Sequence, residues 1–381
     1  MSVPVQHLYI HVPFCKGFCA YCPFYKETYD PALTYAWINA LKHEIKELVA
    51  APPLHLHSIY MGGGTPSILE VSAFSKLSEL IHEHSVVRPT AEWTVEANPE
   101  SINATKVEAW AAAGVTRVSL GVQSLHANTL RRMNRLHDVQ MVYQAIEILR
   151  RFSSLSFGID LIAGFPELLE RDWRSTLEMA LALEPDHISV YECTLHACTP
   201  LYQNIVTGVL DEVQESSRDR ALQISSEIIC NAGYEHYETS NFCRPGKHCR
   251  HNMAVWRGED YLGLGPSAAS RIGLKRWTNQ PDLAAYIESA DSGVIPREIE
   301  HLSPVQDATE RLMFAFRLRS PVKISSYLPK DDTIADKLRD HWEKTLASLD
   351  ARGLVRRTGE KWLSTAKGQL WADHIAEALL P

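Results

Sequence analysis

Apolar residues in this chain follow two periods that alternate along its length. The short run Leu8 to Val12, closed by Pro13, predicts a strand. From about Pro31 the residues Tyr35, Ile38, Leu41, Ile45 and Leu48 recur at spacings of three and four, the single apolar stripe of an amphipathic helix. Pro52 and Pro53 end that helix. The alternation then repeats: strand Ser58 to Met61, a glycine loop and a helix from Ser67; strand Thr94 to Ala97 and a helix from about Ala104; strand Arg117 to Leu120 and helices through Arg150. Strands Phe157 to Ile162 and His187 to Glu192 continue the series, with a helix from about Arg171 between them.

Repeated βα units imply a parallel sheet with helices packed outside it, and six units are too few for a closed eightfold barrel. The expected fold is therefore α/β, a partial (β/α)6 TIM-like barrel over residues 1–235. Residues 236–303 read as a loop-rich segment. Residues 304–381 read as helices with a terminal hairpin, Leu354-Val355-Arg356 and Lys361-Trp362-Leu363 around Gly359, then a helix from about Thr365. That order predicts a small C-terminal helical, winged-helix-like domain.

Charge and composition narrow the function classes. A chain of 381 residues, 45% hydrophobic, is long enough for one large core and an appended domain. The formal net charge of -8 leaves no global positive field, so no nucleic-acid partner is expected, and Arg131-Arg132 and Arg356-Arg357 read as surface. Met1-Ser2-Val3-Pro4 carries no signal-peptide pattern, and no apolar stretch approaches the roughly 18 to 20 residues of a membrane span. A cytoplasmic protein without an integral membrane segment is expected.

Eight cysteines would stay reduced there, and three of them, Cys15, Cys19 and Cys22, crowd into one loop. Three thiolates in the spacing CxxxCxxC can hold three irons of a 4Fe-4S cubane and leave the fourth iron without a protein ligand. That open iron can chelate the amino and carboxylate groups of S-adenosylmethionine (SAM), beside which one electron cleaves the sulfur to C5′ bond. The competing reading is a structural zinc site, which usually takes four ligands; Cys243 and Cys249 with His248 or His251 would have to complete it. Met61-Gly62-Gly63-Gly64-Thr65-Pro66 follows a strand without the Gly-Lys-Ser/Thr of a phosphate loop, and its glycines allow close backbone approach by a small polar ligand. Cys15, Gly62 to Thr65, Glu96, Gln123 and Asp160 all fall at or just after the C-terminal end of a predicted strand. Parallel α/β folds gather their functional residues on that rim.

With these motifs in order, the chain resembles the radical SAM enzymes of the coproporphyrinogen-oxidase-like group, and most nearly the HemW-type heme chaperones. The matching segments run from Tyr9 to Cys22 through Gly62 to Ser67, Glu96 to Pro99, Arg117 to Gln123, Gly158 to Pro166, Tyr237 to Phe242, Arg250 to Trp256 and Tyr261 to Pro266 to Gly353 to Gly368. The resemblance implies that Cys15, Cys19 and Cys22 ligate the cluster. It implies that Tyr9, Tyr21, Gly63, Gly64, Thr65, Glu96, Gln123, Arg135 and Asp160 meet SAM.

Two reactions share such a cluster: oxygen-independent coproporphyrinogen III oxidation, or another radical SAM reaction on a tetrapyrrole, and heme carriage. The oxidase loop resembles CxxxCxxCxC, whereas Phe24 stands here at the position of the fourth cysteine. The segment Arg250-His251-Asn252-Met253-Ala254-Val255-Trp256 resembles the HNxxYW heme motif, with Val255 in place of tyrosine. Pro23 stands where chaperone relatives commonly carry an acidic residue. The resemblance thus implies a heme chaperone that keeps SAM cleavage but not porphyrinogen oxidation, with heme as cargo near His251, Asn252 and Trp256. Its implied partners are an electron donor of flavodoxin or ferredoxin type and an unknown heme acceptor.

Overall fold

The computed structural model describes residues 5–49 and 53–381. Met1 to Pro4 and Pro52, both used in the sequence reading, lie outside the described residues. In chain order the first strands are β1 (His7–Val12), β2 (Phe14–Cys15), β3 (Glu27–Thr28), β4 (Leu54–Gly63), β5 (Ser85–Ala97), β6 (Arg117–Gln123), β7 (Ser156–Ala163) and β8 (His187–Glu192). Strands β1, β4, β5, β6, β7 and β8 lie side by side in that order, all parallel. The sixfold βα rhythm is borne out.

Strict alternation within these strands decides what the two faces of the sheet carry. Leu8, Ile10, Ile59, Met61, Trp93, Val95, Val118, Leu120, Ile159 and Leu161 are fully buried and form one contiguous core with the surrounding helices. The intervening positions turn inward: His7, Tyr9 and His11 on β1, Tyr60 on β4, Glu92 and Glu96 on β5, Arg117 on β6 and Asp160 on β7. The barrel is apolar where it meets helices and polar inside.

The first helix, Pro31–Leu48, is started by Asp30, whose side chain accepts from the Ala32 amide, with Pro31 in the first turn. Its buried stripe is rotated from the predicted one. Trp37, Ile38, Leu41 and Ile45 face the sheet while Tyr35 is 39% exposed. A tryptophan two positions on supplies more apolar area than a tyrosine whose hydroxyl bonds Ser72 at the surface. Strand β5 is also longer than predicted, because its first half, with Arg88 and Pro89, lacks an apolar pattern yet pairs with β4.

Residues after 235 add strands at both edges. Strands β9 (Glu235–Glu238) and β10 (Asn241–Cys243) continue antiparallel beyond β8. At the other edge β11 (Tyr261–Leu264) runs parallel to β1, followed by antiparallel β12 (Ala269–Ile272), β13 (Lys275–Asn279) and β14 (Arg297–His301). Among the described residues the sheet has twelve strands. A buried carboxylate fastens the added edge: Glu44 accepts from the Gly265 amide at 2.8 Å, Asn279 Nδ2 at 2.7 Å and the Tyr286 hydroxyl at 2.5 Å. Such a charge is tolerated inside because Arg297 also reaches it, at 3.3 Å.

A second apolar cluster, with Leu312, Trp342, Leu346, Leu354, Trp362 and Ile375 at its heart, holds the C-terminal helices and the hairpin β15 (Val355–Thr358) and β16 (Lys361–Ser364). The helices Pro304–Ala315 and Asp332–Ala351 precede that hairpin and two short helices follow it. The first of them begins with a capping box between Ser303 and Gln306. Among the described residues no helix is long and apolar enough to cross a membrane.

Candidate functional site

The loop that carries the three cysteines is tied down by the chain's own hydrogen bonds. Pro13 ends β1, and β2 then pairs with β3, closing residues 16–26 into a pinched loop. Backbone bonds from Glu27 N to Pro13 O (2.6 Å) and from Tyr29 N to Cys15 O (2.9 Å) hold its neck. Its far side is held by Ala20 N to Met133 O (3.0 Å) and by Asn134 Nδ2 to Phe18 O (2.6 Å). Lys26 Nζ donates to Cys22 O and Phe24 O, both at 2.9 Å.

The glycine loop is shaped by this neighbour as much as by any ligand. The amides of Gly64 and Thr65 donate to Val12 O and Phe14 O, both at 2.8 Å. A Cβ on Gly64 would stand 2.7 Å from those two oxygens, and Gly63 has φ +101° with the His11 ring 2.5 Å from where its Cβ would be. Only glycine fits there.

These loops enclose a cavity of about 470 Å³ at the C-terminal end of the strands. Of the residues predicted to meet the cluster or SAM, Cys15, Cys19, Tyr21, Cys22, Gly63, Gly64, Thr65, Glu96, Gln123, Arg135 and Asp160 line it. Tyr9 does not. It lies one layer deeper, stacked on Tyr60 at 6.3 Å with its hydroxyl 3.2 Å from His11 Nδ1. Asn98, Ser119 and Tyr191 also line the cavity and were missed in the sequence. Asn98 had a visible signal, two residues beyond Glu96 at the same strand end.

Polar groups around this cavity are held without being used up. Cys15 Sγ lies 3.3 Å from Thr65 Oγ1, and burial pushes the thiol up to about 11. Burial raises the Cys22 thiol as well. Arg135 donates through Nη1 to Cys19 Sγ at 3.1 Å and through Nη2 to Asn98 Oδ1 and Gly121 O, both at 2.6 Å. Its buried Nε has no partner among the described residues. Glu96 accepts from the Tyr60 hydroxyl at 2.8 Å and is pushed up to about 7, chiefly by burial. Asp160 accepts from Ser119 Oγ at 3.0 Å and is also raised by burial. Gln123 ends β6 in the left-handed region, φ 65°, a backbone state that a non-glycine residue holds only when its surroundings fix it.

The predicted heme residues are elsewhere. His251 lies at the opposite end of the barrel, fully buried, with Nδ1 2.9 Å from Ser58 Oγ; Ser58 in turn is 2.8 Å from His7 Nδ1. Burial lowers its imidazole to about 3, so it is neutral. The amides of Arg250 and His251 both donate to Glu92, at 3.0 and 3.1 Å. Trp256 packs edge-on against Phe314 at 5.7 Å, under the Arg317 guanidinium at 4.6 Å. Asn252 shares their helix, Arg250–Trp256. A second cavity, of about 510 Å³, lies beside that helix and is lined by His7, His57, Arg88, His248, Arg250, Met253 and Arg257 among others.

Three thiols of one loop, a glycine wall, an unpaired guanidinium nitrogen and two buried carboxyls converge on one mouth cavity, which suits an iron-sulfur cluster with a zwitterionic ligand beside it. This is the arrangement of a radical SAM protein, and residues 9–180 match the Radical SAM superfamily. The heme chaperone HemW of Mycobacterium tuberculosis is 32% identical over 98% of this chain and 94% of its own. HemW of Escherichia coli is 27% identical over 100% of this chain and 99% of its own. The structure of the E. coli coproporphyrinogen III oxidase HemN, a radical SAM enzyme, superposes with a TM-score of 0.85 at 25% identity, covering 99% of this chain and 90% of that one. The chain belongs to the HemW family of the radical SAM superfamily, and that family implies a 4Fe-4S cluster and SAM.

Proposed function

We propose that this protein is a heme chaperone: it holds a 4Fe-4S cluster on Cys15, Cys19 and Cys22, binds SAM across the mouth cavity, and carries heme to an acceptor protein. The observation that carries the choice of heme carriage over porphyrinogen oxidation is Phe24. It occupies the position of the oxidase's additional cysteine and stands 64% exposed on the cavity rim, where a thiol would otherwise be offered. Full-length similarity to two HemW chaperones supports the same reading.

When bound, the cluster supplies the electron that cleaves SAM. The chain's own residues do the positioning. Arg135, whose Nε is unpaired, is suited to the SAM carboxylate, and Glu96 in its ionised form to the ammonium. Asp160 and Gln123 line the same cavity and suit ribose hydroxyls, with Gly63, Gly64 and Thr65 proposed as the wall behind the methionyl end. Tyr21 closes one side. Heme is proposed to dock against the Arg250–Trp256 helix, with His251, Asn252 and Trp256 as the motif residues and the adjoining cavity receiving the macrocycle's edge. Arg88, Arg250 and Arg257 line that cavity and match the charge of propionates. An electron donor of flavodoxin or ferredoxin type and a cytoplasmic setting complete the proposal.

Anaerobic reconstitution followed by heme titration tests it. A Soret-shifted complex is expected in the native chain and a weaker or altered one in His251→Ala. No complex, or an identical one in the variant, sinks the heme site. The fold it shares with HemN favours one second reading, an enzyme acting on a tetrapyrrole, and carbon dioxide release from coproporphyrinogen III under reducing conditions would establish that instead.

A further inference from the structure

The geometry points to a second metal site, unrelated to the cluster, in which Cys243, His248 and Glu235 bind one divalent cation of zinc type on the outer edge of the barrel. One ligand atom from each of the three lies within 4.8 Å of the others. Ligand atoms of a tetrahedral zinc site are about 3.3 to 3.8 Å apart, given zinc bonds of about 2.0 to 2.3 Å, so a small inward movement closes the set. A thiolate, an imidazole and a carboxylate are three of the ligand types zinc prefers, and water can take the fourth position.

The fold builds this triangle from two directions. Cys243 on β10 is paired directly with Glu235 on β9, which puts the two side chains on one face of the ribbon. A tight turn follows, with Lys247 N donating to Arg244 O at 3.0 Å and Gly246 at φ +78°, and it returns His248 to the same spot. There His248 Nε2 is 3.3 Å from Glu235 Oε2, and its ring stands edge-on to Tyr237 at 4.7 Å.

Neighbouring groups are committed elsewhere. Lys247 Nζ pairs with Asp186 at 3.3 Å and Arg244 with Glu184 at 4.0 Å, so the turn's cations leave Glu235 to the site. Of the other metal-ligand types that the sequence sets beside this turn, Cys249 Sγ donates to Glu92 at 3.5 Å and His251 meets Ser58, so neither belongs to the triangle. Cys243 is wholly buried while Glu235 is exposed and His248 half-buried, which leaves an approach for an ion from solvent. Binding exchanges the Cys243 thiol proton for the metal, the proton leaving to solvent, and converts the His248 to Glu235 contact into two coordination bonds. Bound there, the ion ties the sheet edge to the residue two before the helix that carries His251 and Trp256.

Cobalt is the probe. The full-length chain carrying Cys15→Ala, Cys19→Ala and Cys22→Ala, whose cluster loop can no longer bind metal, is titrated with Co2+. One equivalent is expected to give a thiolate-to-cobalt charge-transfer band with four-coordinate visible bands, to raise the melting temperature, and to be displaced by Zn2+. Cys243→Ser should remove the charge-transfer band, and Glu235→Gln or His248→Ala should weaken binding by on the order of 100-fold. Glu235→Gln lies at the surface and should leave unfolding of the metal-free chain unchanged, which separates lost ligation from lost structure. No saturable band, or one that survives Cys243→Ser, overturns the site and leaves His248 and Glu235 as an ion pair only.

Discussion

The two ends of the barrel interior are both polar and both buried, yet they are built to opposite purposes. At the mouth, thiols, two carboxyls of raised affinity for protons and a guanidinium with a free Nε surround an open cavity. At the foot, His7, Ser58 and His251 bond in a chain, and Glu92 accepts from two backbone amides and the Cys249 thiol. A buried polar group costs little when its partners are already present and much when they are not. The mouth gathers its thiols and carboxyls around the cavity, whereas His7, Ser58, His251 and Glu92 at the foot bond one another or the backbone, with His57 Nε2 and Trp256 Nε1 there left without a partner.

The sharpest test of that contrast removes a thiol. Cys19→Ser should abolish both the cluster's visible absorption and 5′-deoxyadenosine formation while the chain still folds, since Cys19 is only half-buried. Retention of either would mean that the mouth is not the cluster site. Next in size, Glu96→Gln should weaken SAM binding about 10 to 100-fold, the worth of one hydrogen bond between charged groups, and should also stabilise the ligand-free chain above pH 7. The sign follows from burial: a carboxyl raised from 4.5 to about 7 contributes stability as the neutral acid, fully below 4.5, and loses it as pH rises through 7. A glutamine that destabilised the chain at pH 8 would contradict a mouth under strain.

At the foot the order of effects reverses. Glu92→Ala strands two amides, and should cost roughly 3 kcal/mol and several degrees of melting temperature while leaving SAM cleavage per folded molecule unchanged. Loss of cleavage without loss of stability would erase the distinction between the ends. The smallest effect is graded. His11 is lowered to about 4, and His236 and His251 to about 3, all mainly by burial. The unfolded chain takes up protons near 6.5 that the folded chain refuses, so stability should fall progressively from pH 6.5 toward 4 in an acid-unfolding series. A flat profile there would show the histidines to be hydrated.

The mouth was legible in the sequence and the foot was not, for a physical reason. Cys15, Glu96 and Gln123 reveal themselves by standing at or beside strand ends, which follow from local periodicity, whereas Asp160, expected at a strand end, lies three residues inside β7. His251 owes its surroundings to Ser58 and His7, some 193 residues and more away, and no local pattern encodes such pairing. For the same reason residues 236–303 read as loops: β11 and β12 are four residues each, interrupted by Gly263 or charged by Arg271, and they become strands because β1 offers an edge to β11, which in turn offers one to β12. Tyr35 and Trp37 each stand three or four residues from a member of the predicted stripe, and only packing decides which of two adjacent stripes faces inward.

The parallel pairing of β1 with β11 carries a consequence for how the protein is made. Residues 7–10 rest on residues 261–264, so one flank of the strand that presents the cysteine loop stays bare until residues 261–264, far later in the sequence, have been made. Contacts this distant in sequence form late and slowly. The thiols thus precede by well over two hundred residues the strand that completes the platform beneath them. The loop's own anchors, between Pro13 and Glu27 and between Ala20 and Met133, need far less of the chain than the strand beneath it does.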